Sequence, residues 1–337
     1  MMLRRLFPFQ SRRPEHWTEW SGAIPNGPIG QVIFSVLTSH QFHGKVRAEL
    51  FFPAFCAELR SNGFAVYFCS SLSEIEQLIT SGLSTILVHV FPEDKRQIAS
   101  KKVFEVEGRC LAVYNGARTG LVIGDKSRTA ETFRQNGILT PEFPNASDTV
   151  FSNTRYGSNK KAKRIEAGAK IDRARFNTRF IDTSVMFMDR CYFTSVRLVC
   201  VNDALIHAFP RARDVEEGNP SVHASNTPLN PALIEFLQSE IVAPYWDVLG
   251  RLAKGLAEAL GRGFYVHDLL IERSSHRIYV CESGFKLEPT AFWTRVEPIS
   301  ESLPSQSILF PIEAYAKHVG SVFSWQCKTL IEERPAS

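Results

Sequence analysis

The stretch FYVHDLLIERSSHRIYVCES, Phe264–Ser283, decides how the chain is read. It divides into two largely apolar strands, Phe264–Glu272 and Arg277–Ser283, around a serine-containing turn, and it sets Asp268 and Glu282 among the apolar positions. A carboxylate in such a strand is costly unless a cation satisfies it. Two of them on facing strands suggest Mg²⁺, a hard cation that takes oxygen ligands and substrate phosphates. The register decides whether they meet. A two-residue turn at Ser274-Ser275 sets Asp268 opposite Cys281 and sends Glu282 to the other face, whereas a three-residue loop Ser274–His276 pairs Asp268 with Glu282. A solvent-facing polar stripe is the plain alternative.

Upstream, the pattern is antiparallel: strands over Phe176–Thr183, Tyr192–Val201 and Ala204–Pro210, the last two joined by a tight Asn202-Asp203 turn. Arg197 lies mid-strand among apolar residues and Arg211 ends the following strand, positions suited to anionic groups, although a structural ion pair explains either one alone. A helical stretch over Pro231–Leu260 is broken at Pro244. Further back, Lys126–Asn136 reads as a helix stopped by Gly137, and Lys126 at its start could reach a phosphate. Gly120–Ser127 is not a P-loop, because three residues rather than four separate its glycines and Asp125 precedes Lys126.

The first part of the chain alternates strands (Val32–Leu37, Phe64–Cys69, Thr85–Phe91, Arg109–Tyr114) with helices (Val46–Ser61, Leu72–Thr80, Asp94–Phe104), which predicts a parallel, doubly wound sheet. No G-x-G-x-x-G follows its first strand. The 337 residues, 44% hydrophobic and 22% charged, exclude wholesale disorder and fit two or three domains. The chain carries no apolar run fit to span a bilayer, and its seven cysteines form no C-x-x-C pair, which suits reduced thiols in a cytosol and argues against a zinc module. The histidines read as structural or solvated. The net charge of +4 is local: residues 155–179 hold nine basic and two acidic residues, leaving the rest of the chain net acidic. That segment is a solvated loop, a phosphate-binding loop or a nucleic-acid patch, and its two aromatics, Tyr156 and Phe176, are too few for a stacking platform.

In their order, these pieces resemble the ATP-grasp superfamily, of the carboxylate-amine ligase type. Lys126 through Gly137-Ile138-Leu139-Thr140-Pro141 is similar to the lysine helix and the connection that opens the ATP-grasp domain. Phe151–Lys161, with Gly157 and Ser158, resembles the strand and glycine-rich loop over the triphosphate, and Arg179-Phe180-Ile181-Asp182 stands where the family presents main chain to adenine. The resemblance implies Arg197 and Arg211 as catalytic arginines and Asp268 with Glu282 as metal ligands. It also implies Lys126, Gly157, Ser158, Lys160 and residues 179–182 as the nucleotide site, with ATP and Mg²⁺ as cofactors. Three positions depart from the family: Phe151-Ser152-Asn153 lacks the strand lysine, leaving Lys160 or Lys161 to stand in; Glu282-Ser283-Gly284 replaces Glu-x-Asn; and Arg179 replaces an acid or amide.

The implied fold is a Rossmann-like domain (30–115) after an arm (1–29), then a two-lobed ATP-grasp domain (116–290), with 291–337 packing on that domain. The implied function is ATP-dependent ligation of a carboxylate to an amine or thiol through an acylphosphate. Nucleotide binding without turnover is the alternative that the departures favour. The partners expected are small-molecule or peptide carboxylates and amines in the cytoplasm, with no membrane and with nucleic acid disfavoured; a homodimer is compatible. Residues 155–170 are expected to be coil that folds over the triphosphate.

Overall fold

The computed structural model describes residues 18–20, 24, 26–37, 48–90, 99–156, 162–287, 296–303 and 311–333. The chain forms two compact units: one of residues 1–121, 261–264 and 310–337, the other of 122–260 and 265–309.

The first unit is built on β1 (Thr18–Glu19), β2 (Gly30–Ser35), α1 (Ala48–Ser61), β3 (Phe64–Cys69), α2 (Leu72–Ile79), β4 (Thr85–His89), α3 (Lys101–Glu107) and β5 (Ala112–Tyr114). The sheet order is β1-β3-β2-β4-β5. β2 runs parallel to β3 and β4, and β4 to β5, as the strand and helix alternation predicts. β1 pairs antiparallel with β3, so part of the expected N-terminal arm is an edge strand. Val32, Ile33 and Phe34 are fully buried, which is why β2 reads as a continuous apolar run. On one face Phe34 stacks on Phe68 at 5.0 Å and Phe51 of α1 on Phe55 at 5.2 Å. α2 begins at a capping box in which Ser71 and Glu74 satisfy each other's backbone N–H groups.

The last helix, Ile312–Glu332, belongs to this unit. Phe323 stacks on Phe55 at 6.1 Å, and Tyr114 donates a hydrogen bond to Gln326 Oε1 at 3.1 Å. This differs from the expectation that 291–337 packs on the ATP-grasp domain. The buried residues of the helix, Tyr315, Val319, Phe323 and Cys327, instead complete the aromatic core around α1.

The second unit begins within α4 (Ala117–Ile123) and continues through α5 (Lys126–Gln135). A small sheet of order β7-β6-β8 follows, made of β6 (Val150–Asn153), β7 (Lys163–Ile165) and β8 (Phe176–Arg179). β7 pairs with β6, so three residues of the segment expected to be coil throughout are strand. The larger sheet has the order β11-β10-β12-β13, with β9 (Ser184–Phe187) on β10. Its strands are β10 (Arg190–Val201), β11 (Ala204–Asp214), β12 (Phe264–Ile271) and β13 (Ile278–Phe285). Asn202 takes φ +53° in the β10–β11 turn, a conformation Asn tolerates better than most residues. Between the hairpins lie α6 (Pro231–Leu237), irregular helical turns around Pro244, and α7 (Trp246–Leu260), whose buried stripe is Leu249, Ala253, Leu256, Ala257 and Leu260.

Candidate functional site: a cationic cleft on the large sheet

Strand alternation puts Ser195 and Arg197 of β10 on one face. Ser195 pairs directly with Arg211 across the β10–β11 ladder, and Arg211 Nε donates to Ser195 Oγ at 3.1 Å. Both arginines close on Asp268 of the neighbouring β12. Arg197 is bidentate, with Nε to Oδ1 at 2.7 Å and Nη2 to Oδ2 at 2.8 Å. Arg211 Nη2 reaches Oδ1 at 3.1 Å. Burial alone would raise the Asp268 carboxyl pKa; the two guanidinium charges and their hydrogen bonds reverse this and hold it well below the usual carboxylate range. Burial also works against the charged form of Arg197, but Asp268 overcomes it and raises its pKa. For the more deeply buried Arg211, burial, with Arg197 adding to it, wins and lowers the pKa.

Asp268 pairs with Glu282, but by neither of the two simple routes. Glu272 and Arg277 bracket a four-residue turn, Arg273–His276, in which His276 takes φ +56°. Near the turn the ladder runs Ile271↔Ile278 and Leu269↔Val280, the register that would set Asp268 opposite Cys281. A bulge between Leu269 and Asp268 then leaves Cys281 as the extra residue and slips the pairing to Asp268↔Glu282. Cys281 donates through Sγ to the Asp268 carbonyl at 3.1 Å. The bulge explains why Cys281 and Glu282, though consecutive, both line the same cavity.

Lys126 Nζ lies 3.2 Å from Glu282 Oε1. Its helix, α5, is capped by Asp125, which accepts from the Ser127 and Arg128 N–H groups and is clasped by Arg155 through Nε and Nη2. Burial opposes ionisation of Asp125, but Arg155 and the cap N–H groups keep its pKa low.

Lys126, Ser195, Arg211, Asp268, Cys281 and Glu282 form one wall of a cleft within the second unit. Its other walls hold Phe151, Asn153, Phe176 and Thr178 of the small sheet, then Phe180, Ile181 and Thr183. The structure therefore brings Lys126, Arg179, Phe180, Ile181, Arg211, Asp268 and Glu282 to one cavity, while Arg197 stands behind Asp268. Asp182 is turned to solvent, and its carbonyl accepts from the Arg273 N–H at 2.8 Å. The Arg179 side chain braces the hairpin, bonding Glu272 at 2.9 Å and Tyr279 at 3.1 Å, while Ser275 also donates to Glu272. Gly157, Ser158 and Lys160 lie outside the described residues. Sequence reasoning missed Ser195 and His223. His223 lines the cleft from an irregular loop and is bonded to Ser221 Oγ at 2.9 Å. Burial, helped by the charge of Arg211, lowers its pKa. No local pattern marks it, but Ser195 could have been found as the alternation partner of Arg197.

The resemblance implies a divalent cation on Asp268 and Glu282, and the donor set does not suit one. Both Asp268 oxygens are taken by guanidinium N–H groups, and Glu282 faces an ammonium. Among the described residues, no three His, Cys, Asp or Glu side chains gather as a metal cluster. As the side chains stand, Oδ1 and Oδ2 of Asp268 and Oε1 of Glu282 point at cationic donors, the places an ion's own charge would fill.

No family model and no curated protein sequence matches the chain. Solved structures do. D-alanine–D-alanine ligase from Bacillus anthracis superposes with a TM-score of 0.52 at 12% identity, over 91% of this chain and 100% of that one. N5-carboxyaminoimidazole ribonucleotide synthetase from Thermotoga maritima gives 0.48 at 13%, over 87% and 76%. A RimK domain protein ATP-grasp from Sphaerobacter thermophilus gives 0.43 at 12%, over 88% and 98%. At such identities the likeness is one of fold. A parallel-sheet unit, a small sheet and a large antiparallel sheet bearing a cationic cleft define the class: the chain has the ATP-grasp fold.

Proposed function

We propose that the chain binds ATP in this cleft and is an ATP-dependent ligase joining a carboxylate to an amine or thiol. The observation that carries the reading is the division of the cleft. Lys126, Ser195 and Arg211 line it from α5 and the large sheet, and Phe151, Phe176, Phe180 and Ile181 line it from the small sheet and the segment after β8. The cationic wall suits phosphate oxygens and the aromatic walls suit a nucleobase. The Bacillus anthracis neighbour, named as a ligase of D-alanine to D-alanine, is compatible with an acid and an amine as substrates.

The chemistry runs in two steps. A substrate carboxylate oxygen attacks the γ-phosphorus, and ADP leaves with the electrons of the broken P–O bond. The amine or thiol then attacks the acyl carbon, phosphate leaves, and the nucleophile's proton passes to solvent or to a base. Lys126 and Arg211 would neutralise charge developing on the transferred group, the largest contribution a preorganised site makes to phosphoryl transfer. Arg197 acts through Asp268, fixing the carboxylate that orients Arg211.

The test is incubation of the purified full chain with ATP and pools of amino acids, dicarboxylates and amines. ADP release in step with a condensed product, identified by mass, is the expected result. ATP binding with no ADP above the substrate-free blank for any pool would select a second reading, a nucleotide-binding protein without turnover. Asn153 favours that alternative, since it lines the cleft where the family has a strand lysine.

A further inference from the structure

The cleft's cations outnumber its carboxylates before any ligand arrives. Lys126, Arg197 and Arg211 face Asp268 and Glu282, which leaves one positive charge in excess. A site built around a resident divalent cation needs the opposite balance, since its carboxylates must be open to the ion and its neighbours must tolerate two further charges. Three of the roughly four lone-pair sites of Asp268 are taken by the arginines, so for Asp268 to give a metal more than the one that is left, Arg197 or Arg211 would have to release a bond. Arg211 has nowhere to withdraw: its side chain is 2% exposed, and its Nε is held by Ser195. A dication placed there would also stand against two guanidinium groups.

We infer that the cleft binds the polyphosphate of its nucleotide without a divalent cation, Arg197 and Arg211 filling the positions on Asp268, and Lys126 that on Glu282, which a metal would occupy. The inference rests on the ATP reading above, and names its charge partner as the protein's own cations. A guanidinium is always charged and presents its N–H donors in a fixed fork, so it can hold Asp268 with one edge and offer another to an anion. Arg211 meets both conditions, since it touches Asp268 and lines the cavity. Lys126 likewise touches Glu282 and lines the cavity.

Two measurements on the full chain test it. Calorimetric titration with ATP is run with excess Mg²⁺ and again in EDTA. The expected affinities agree within about threefold, and a loss of about tenfold or more in EDTA overturns the inference. Titration with Mn²⁺ alone, followed by the paramagnetic signal of the free ion, is expected to show no stoichiometric uptake; binding of one equivalent overturns it. Glu282→Gln adds a test of sign. Its side chain is 41% exposed, so the variant folds readily. With the protein's cations as phosphate partners, releasing Lys126 tightens ATP binding in EDTA; with a metal on Glu282, the same change weakens binding in Mg²⁺. Magnesium-dependent binding therefore removes this inference and leaves the ligase reading standing, whereas ATP binding in neither buffer removes both.

Discussion

At Asp268, burial and charge pull in opposite directions, and charge wins only because two guanidinium groups are aimed at it. Removing one of them leaves a carboxylate that is 14% exposed and half partnered. Arg197→Leu is therefore expected to cost about 3–5 kcal/mol in urea denaturation, the range for breaking a buried pair. Asp268→Asn in the Arg197→Leu background should recover part of that loss. The same carboxyl shapes the acid limb: its folded pKa lies below the unfolded value, so its stabilisation is complete above about pH 4 and fades as pH falls further. His267 is 1% exposed, bonded to Ser283 Oγ at 2.8 Å, and acts higher on the scale. Burial, with the charge of Asp268 working against it, pushes its pKa down to about 3. The unfolded chain binds this proton below about pH 6.5, so stability should fall by about 2 kcal/mol between pH 6.5 and 5. His267→Gln should flatten that slope, and an unchanged slope would assign it elsewhere.

The hairpin β12–β13 and the helix α5 show what an element adds to its residues. Asp125 both caps α5 and clasps Arg155, and two substitutions separate these roles. Asn caps as well as Asp, so Asp125→Asn should lose only the charge pairing with Arg155 and Arg128, while Asp125→Ala loses the cap as well, a further ~1 kcal/mol. Denaturation midpoints that coincide for the two variants would deny the cap its share. Most elements could be read from the sequence because their signals are local. The apolar run of β2, the Asn202-Asp203 turn and the Gly137 stop, at φ +71°, each announce themselves. The bulge does not. Cys281 looks like any strand residue, and the turn register and the carboxylate register differ by one, so each of the two simple turns describes half of the hairpin. β7 and β9 escaped for a related reason. Each is a short pairing onto a neighbouring strand, and β7 lies inside a basic run that resembles a solvated loop. Of the site, the charged residues were legible because a charge in an apolar strand demands explanation. His223 was not, since nothing in an irregular loop predicts which way it faces.

At the scale of the whole molecule, the first unit is assembled from segments far apart in the chain. Gly320 of the last helix sits so close to α1 that an added Cβ would meet Glu58 Cβ and Cγ at 2.9 Å and the Phe55 carbonyl at 3.3 Å. Ala is the better helix former by about 1 kcal/mol, yet overpacking of about 1–3 kcal/mol should prevail. Gly320→Ala is thus expected to lower stability by up to about 2 kcal/mol, and a stabilised variant would show that the helix rides loosely on α1. The placement of this helix was not legible because an amphipathic stripe says that a face is buried, not against what. It also bears on how the protein is made. Phe55 and Tyr114 leave the ribosome well before Phe264 and Phe323, their aromatic neighbours, and Phe51 well before Tyr315. The nascent parallel sheet must therefore wait, its aromatic face uncovered, until the residues of the last helix have been made. The cell's holding chaperones are the natural occupants of that face in the interval, and synthesis halted before residue 312 should yield a chain that stays chaperone-bound rather than one with a finished first unit.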